Sequence, residues 1–175
     1  VTEDVWSRLS SNTGPVDFDL MLSYYTPPDT AVAQISFRRS AGHNIEFKVT
    51  YEQIIVREVV NGVLSPIAAV DTGADSGRWH DLVVRCDGAH IEVWRKESGS
   101  SVPLTKLIDC TTAATGSATL FGISMGSNFL LDDYALYPVN TVELPNAATQ
   151  GDLVFPPGET LKQLQIAVVD DTLYE

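Results

Sequence analysis

Apolar and polar residues alternate in short runs along most of the chain, and turn-forming residues cut one run from the next. In VDFDLMLSYY (16–25), Phe18, Leu20 and Leu22 fall on one face, because successive strand side chains point to opposite sides. TPPD (26–29) ends that run, since proline cannot donate to a ladder. AVAQISFRR (31–39) and NIEFKVTY (44–51) follow on either side of SAGH. In the second of these, Ile45, Phe47 and Val49 alternate with Glu46 and Lys48, the mark of a half-buried strand. QIIVREVVNGVLSPIAAV (53–70) contains Asn61-Gly62, a dipeptide that supplies the positive φ angles of a two-residue hairpin. RWHDLVVRCDGAHIEVWRK (78–96) repeats the device with Asp87-Gly88. Leu82, Val84 and Cys86 face one way there, with Ile91 and Val93 placed to pair across the turn. VPLTKLIDC (102–110), GSATLFGISMG (116–126) and NFLLDDYALYP (128–138) bring the total to about ten strands at sandwich spacing. No segment carries a long helical period, and the pattern predicts an all-β, two-sheet antiparallel sandwich.

The alternation loosens in PVNTVELPNAATQG (138–151), whose prolines, asparagines and small residues suit a linker. Beyond it, Leu164, Ile166 and Val168 alternate with Gln163, Gln165 and Ala167, which predicts one more strand. The expected organisation is therefore a sandwich over 1–138, a linker over 139–150 and a strand segment over 151–175. The whole is 175 residues with 44% hydrophobic content, enough for a real core.

Charge narrows the range of partners. Asp and Glu number 23 against 11 Lys and Arg, giving a net charge of −12. Nucleic acids and anionic membrane surfaces attract basic patches, so both are expected to be excluded as partners. No apolar run has the length of a membrane span. No signal peptide is visible and the sequence begins with Val1 rather than Met, the pattern expected of a piece processed or excised from a longer protein. Cys86 and Cys110 are too far apart in sequence for a CxxC motif, and only three histidines are present, which argues against structural zinc. The two cysteines are open to two readings, a disulfide in an oxidising compartment or two buried thiols.

GRWHDLVVRCDGAHIEVWRK and TGSATLFGIS…NFLLDDYALYP resemble the concanavalin A-like superfamily, laminin-G-like jelly rolls in particular. The resemblance spans residues 16–138 and its motifs are structural: a Trp-His pair, an Asp-Gly turn, and a last strand with paired aspartates. It implies a jelly roll, and with it sugar recognition by stacked rings and hydroxyl-directed polar groups. GDLVFPPGETLKQLQIAVVDDTLYE (151–175) resembles half of a Calx-beta module, in which carboxylates at this end bind calcium. That resemblance makes Asp170, Asp171 and Glu175 candidate calcium ligands, with Asp132 and Asp133 as further candidates. Three carboxylates fall short of the six to eight oxygens that calcium takes.

The same stretches supply the candidate chemistry. Trp94 has the opposite parity to Ile91 and Val93 and is the ring expected to lie open on the outer sheet face. Tyr24, Tyr25, Arg38 and His43 complete the expected binding set. Of the adjacent tyrosines, one must face the core and one away from it, and Arg38 and Arg39 likewise point oppositely. His43, after Gly42, is expected in a solvated turn, and Trp79 is expected to seal a core edge. The Glu-x-Asp-x-x-Glu strand of the superfamily's glycanases is absent, and Asp17 and Asp19, which share a strand face, are more simply a solvated face than a catalytic pair. The expected function is therefore non-catalytic recognition or adhesion in a secreted or cell-surface multimodular protein, with a glycan or a matrix component as partner. The alternative is a subunit of an extracellular assembly, a homo-oligomer in which the C-terminal strand pairs with a neighbouring chain.

Overall fold

The computed structural model describes residues 7–11, 15–26, 32–40, 42–73, 77–113, 120–125 and 129–145. The chain divides into units of Val1–Pro145 and Asn146–Glu175, and every described residue belongs to the first. Eleven strands run through the described residues: β1 (Ser7–Ser11), β2 (Phe18–Tyr25), β3 (Ala33–Ser40), β4 (His43–Val49), β5 (Gln53–Val60), β6 (Val63–Asp71), β7 (Trp79–Asp87), β8 (His90–Glu97), β9 (Thr105–Thr111), β10 (Leu120–Met125) and β11 (Leu130–Pro138). They form a six-stranded sheet in the order β1-β10-β3-β4-β5-β6 and a five-stranded sheet in the order β11-β2-β7-β8-β9. The expected all-β sandwich is the fold.

The alternating positions build its core. Phe18, Leu20 and Leu22 of β2, Leu82, Val84 and Cys86 of β7, and Ile91 and Val93 of β8 meet Ile45, Phe47 and Val49 of β4 and Ile54 and Val56 of β5. Phe18 packs edge-to-face on Phe37, with ring centroids 5.4 Å apart. Full burial of such side chains contributes about 1.5–3 kcal/mol each, so this one interior outweighs any surface interaction.

Two hairpins set the register. Asn61 (φ 50°) and Gly62 (φ 81°) connect β5 to β6 as expected. The second turn lies one residue beyond Asp87-Gly88, because Asp87 pairs with His90 and leaves Gly88-Ala89 as the loop. Gly88 alone takes a positive φ there, at 55°, the geometry of a turn that asks for glycine first.

Register also decides the cysteines. Cys86 on β7 pairs with Ile91 on β8, and Ile91 in turn pairs with Cys110 on β9. A whole strand lies between the two sulfurs, so their Cα atoms are about 9–10 Å apart, beyond the reach of a disulfide. Both are free thiols, and burial pushes the Cys86 thiol well above its ordinary value.

Candidate functional site

The outer face of the five-stranded sheet gathers side chains that the core does not use. Three rows of residues cross it in register. Tyr137 faces Asp19, Asp19 faces Arg85, and Arg85 faces Glu92. The next row is Ala135, Met21, Val83 and Trp94. The third is Asp132, Ser23, Asp81 and Lys96. A groove of about 630 Å³ runs over these rows, lined by Met21, Ser23, Asp81, Val83, Lys96, Leu104, Asp133, Tyr137, Val142 and Glu143 among others. That volume lies within the range of small-molecule sites.

One wall is fixed by an ion pair. Asp19, with 0% of its surface exposed, accepts from Arg85 Nε at 2.8 Å and Nη2 at 2.9 Å. Val142 closes the pair from outside, its N–H donating to Asp19 Oδ2 at 2.8 Å and its carbonyl accepting from Arg85 Nη2 at 2.6 Å. Burial pushes the Asp19 carboxyl up, but the hydrogen bonds from Arg85 and Val142, with the Arg85 charge, outweigh it and hold the group below the usual carboxylate range. The clasp therefore ties Val142, from the stretch expected to be a linker, to the sheet, and Glu143 follows it onto the groove wall.

The floor combines apolar and polar character. Met21 is the open apolar residue, at 37% exposed, with Val83 buried beneath, and Tyr137 is 38% exposed at the side. Asp81 is held by Ser23 Oγ, which donates to Oδ1 at 2.9 Å, and by Ser98 Oγ, which donates to the same oxygen. Lys96 Nζ lies 3.7 Å from Asp81 Oδ2. An anchored carboxylate beside an apolar floor and a ring can accept from hydroxyls while C–H groups pack below. Ser23, Asp81, Lys96 and Tyr137 were not singled out in the sequence. Outward parity marks each of them, but only strand pairing brings them side by side.

The expected binding residues disperse. Trp94 lies on the outer face, as its parity requires, but is only 5% exposed. Lys106 Nζ covers its ring at 5.0 Å, and Trp94 Nε1 donates to Glu92 Oε2 at 3.3 Å, so the open ring expected here is capped. Tyr24 is core, stacked on Phe129 at 5.8 Å. Tyr25 points outward and is half-buried against Trp79 at 5.9 Å. Trp79, 37% exposed, has the opposite parity to Leu82 and so lies outside rather than sealing the core edge. Arg38 is 1% exposed: a bulge with φ 50° turns it inward, where Nη2 donates to Asp17 Oδ1 at 3.0 Å and Nε to the Val16 carbonyl. His43 opens β4 instead of sitting in a solvated turn, with Nε2 2.9 Å from Glu58 Oε1.

The metal candidates divide similarly. Asp132 and Asp133 lie at a bulge in β11, where Asp132 Oδ1 accepts from the Asp133 N–H at 2.9 Å, a structural use of that carboxylate. Asp170, Asp171 and Glu175 lie outside the described residues. Among the described residues, His90, Glu92 and Asp109 bring three ligand-type atoms within 4.8 Å. Lys106 already serves that cluster, with Nζ 2.5 Å from Glu92 Oε1 and 2.8 Å from Asp109 Oδ2. Hydrogen bonds to Asp109 and Glu92 raise the Lys106 pKa, so the ammonium itself balances the carboxylates, and the cluster does not fit calcium.

No protein-family model matches the chain, and no curated protein resembles it in sequence, so neither the laminin-G nor the Calx-beta resemblance gains support there. Solved structures do match. The carbohydrate binding module CBM66 from Bacillus subtilis superposes with a TM-score of 0.56 at 15% identity, over 77% of this chain and 83% of that one. The galectin LEC-6 of Caenorhabditis elegans gives 0.54 at 8% identity, over 78% and 91%. The VIP36 exoplasmic/lumenal domain, in a Ca2+/Man2-bound form, gives 0.58 at 14% identity, over 81% and 75%. At such identities the likeness is one of fold, and the fold is the jelly roll of these lectins and modules.

Proposed function

We propose that this chain is a non-catalytic, carbohydrate-binding jelly roll, a recognition or adhesion module of a secreted or cell-surface multimodular protein. The observation that carries the proposal is the outer-face groove, in which the exposed Met21 forms an apolar floor beside Tyr137 and the anchored Asp81. A pyranose presents a C–H face and a rim of hydroxyls, and this surface offers a partner for each. The similar structures support the same reading: a carbohydrate binding module, a galectin, and a domain in a Man2-bound form. A non-catalytic role also suits the two aspartates of β2 and its approach. Asp17 is paired with Arg38 and Asp19 with Arg85, so neither is placed as a free acid or base. The assembly alternative rests on the strand expected over 161–169, which lies outside the described residues, and no observation favours it.

The test is a glycan panel followed by calorimetry with the best ligand. Tyr137→Ala is expected to weaken binding by roughly two- to tenfold, the worth of one ring contact, without loss of fold because the ring is exposed. Asp81→Asn is expected to weaken it further. A panel without any binder, or binding untouched by both substitutions, would refute the groove as the site.

A further inference from the structure

We infer that the outer-face groove selects an amino saccharide, an oligosaccharide whose sugar residues carry free ammonium groups. The inference rests on the groove being a saccharide site, and it adds the chemical class of the ligand. Among the described residues that line the groove, the charged side chains are Asp81, Asp133, Glu143 and Lys96. Three carboxylates therefore share the space with one ammonium. Asp81 is already served within the protein, by the hydroxyls of Ser23 and Ser98 and by Lys96 Nζ at 3.7 Å. The Asp133 and Glu143 side chains are exposed, and among the described residues neither carboxylate is paired with a cation. These two are the carboxylates that a ligand meets uncompensated.

Two separate backbone features carry them there. On β11 the register with β2 shifts between Asp132 and Ala135, and Asp133 takes a φ of 50°. Strict alternation after the outward Asp132 would turn the next side chain toward the core; the bulge instead brings Asp133 to the groove wall. Asp132 holds that bulge, since its Oδ1 accepts from the Asp133 N–H at 2.9 Å. Glu143 arrives by the clasp, in which the Val142 N–H donates to Asp19 and the Val142 carbonyl accepts from Arg85. The backbone is thus fixed one residue before the carboxylate, and both acids are held at the groove before any ligand arrives.

Spacing decides between a metal ion and separate ammonium groups. Calcium takes six to eight oxygens around one point. Among the described residues, only His90, Glu92 and Asp109 bring three ligand-type atoms within 4.8 Å of one another, so the three groove carboxylates do not converge on one ion. Asp133 stands beside the row of Ser23, and Glu143 beside the clasp on Asp19. Those rows are four residues apart on β2, about 13–14 Å. Carboxylates spread in this way suit ammonium groups on different sugar residues of one chain. Tyr137, 38% exposed between them, adds a π-system that attracts a cation. The net charge of −12 surrounds the groove with a field that draws cations in.

The experiment titrates the full chain calorimetrically, at about pH 6, where carboxylates are ionised and amines protonated. The ligands are a glucosamine tetrasaccharide, its fully N-acetylated form, a glucose tetrasaccharide of the same linkage, and spermidine. The amino form is expected to bind about tenfold tighter than either neutral form at low salt, the worth of one charge-assisted contact. That advantage should shrink at about 0.5 M salt, where screening is short-ranged. Asp133→Asn and Glu143→Gln should each reduce it and together remove it, leaving the neutral forms bound as before. Both side chains are exposed, and asparagine tolerates the positive φ at 133, so the variants keep the fold. Tyr137→Ala should weaken all three saccharides. Amino binding no tighter than neutral binding would overturn the inference and leave the groove standing. An advantage untouched by the double substitution would overturn it as well, since the selection would then lie elsewhere. Spermidine binding as tightly as the amino tetrasaccharide would overturn it in favour of a general cation site, and absence of any saccharide binding would overturn both readings.

Discussion

Replacing Asp19 by Asn tests the clasp that closes the groove wall. Three N–H donors converge on the two Asp19 oxygens: Arg85 Nε, Arg85 Nη2 and the Val142 amide. An asparagine amide offers one oxygen to accept, and its NH2 group would face at least one of those donors. Arg85, with 15% of its side chain exposed, would be left largely buried without its counter-charge. Removing one member of a buried pair in this way costs about 3–5 kcal/mol. With a urea slope of about 2 kcal/mol/M, the unfolding midpoint should fall by about 1.5–2.5 M at neutral pH. The pH dependence carries a sign. Asp19 has a lowered pKa in the folded state, so its stabilisation is fully present above the unfolded value of about 3.9 and disappears as pH falls through the folded one. The gap between the parent and Asp19→Asn should therefore be constant near neutrality and close progressively under acid. Combining Asp19→Asn with Arg85→Met should recover part of the loss, since no lone charge remains. A midpoint shift below about 0.5 M, worth about 1 kcal/mol, would refute the reasoning, because the pair would then behave like an exposed one. The same variant should weaken glycan binding, since Val142 and Glu143 would lose their anchor.

Other consequences follow from the same register and packing. Phe47→Ala removes a ring that is 1% exposed and should cost about 3–5 kcal/mol in urea unfolding; a cost below about 1 kcal/mol would mean that β4 is not packed in the core. Gly62→Ala isolates backbone strain, because φ is +81° and an added Cβ meets nothing within 4 Å. About 1–2 kcal/mol of destabilisation is expected there, and a neutral result would contradict the turn. In a thiol titration of the native protein, half-buried Cys110 should react and buried Cys86 should react only after unfolding. Absence of reactive thiols after unfolding would disprove the intervening-strand geometry.

The alternation in VDFDLML, NIEFKV and DLVVRC determined the fold class and most of the core, because a half-buried strand declares its inward face every second residue. Asn61-Gly62 likewise determined its hairpin, since few dipeptides tolerate two positive φ angles in succession. Parity also placed Trp94 outside and required that one of Tyr24 and Tyr25 face the core, and the structure buries Tyr24. Parity alone does not tell what covers an outward side chain, and so Trp94 looked open until β9 brought Lys106 across it. Arg38 escaped the rule altogether, because a bulge rotates one residue out of alternation, and a bulge is set by pairing with the neighbouring strand. The groove was invisible for the same reason. Ser23, Asp81 and Lys96 stand far apart in the sequence and become neighbours only through the register of β2 on β7 and β7 on β8. Which residues form strands is a local property of the chain; which of them share a site is decided where distant strands align.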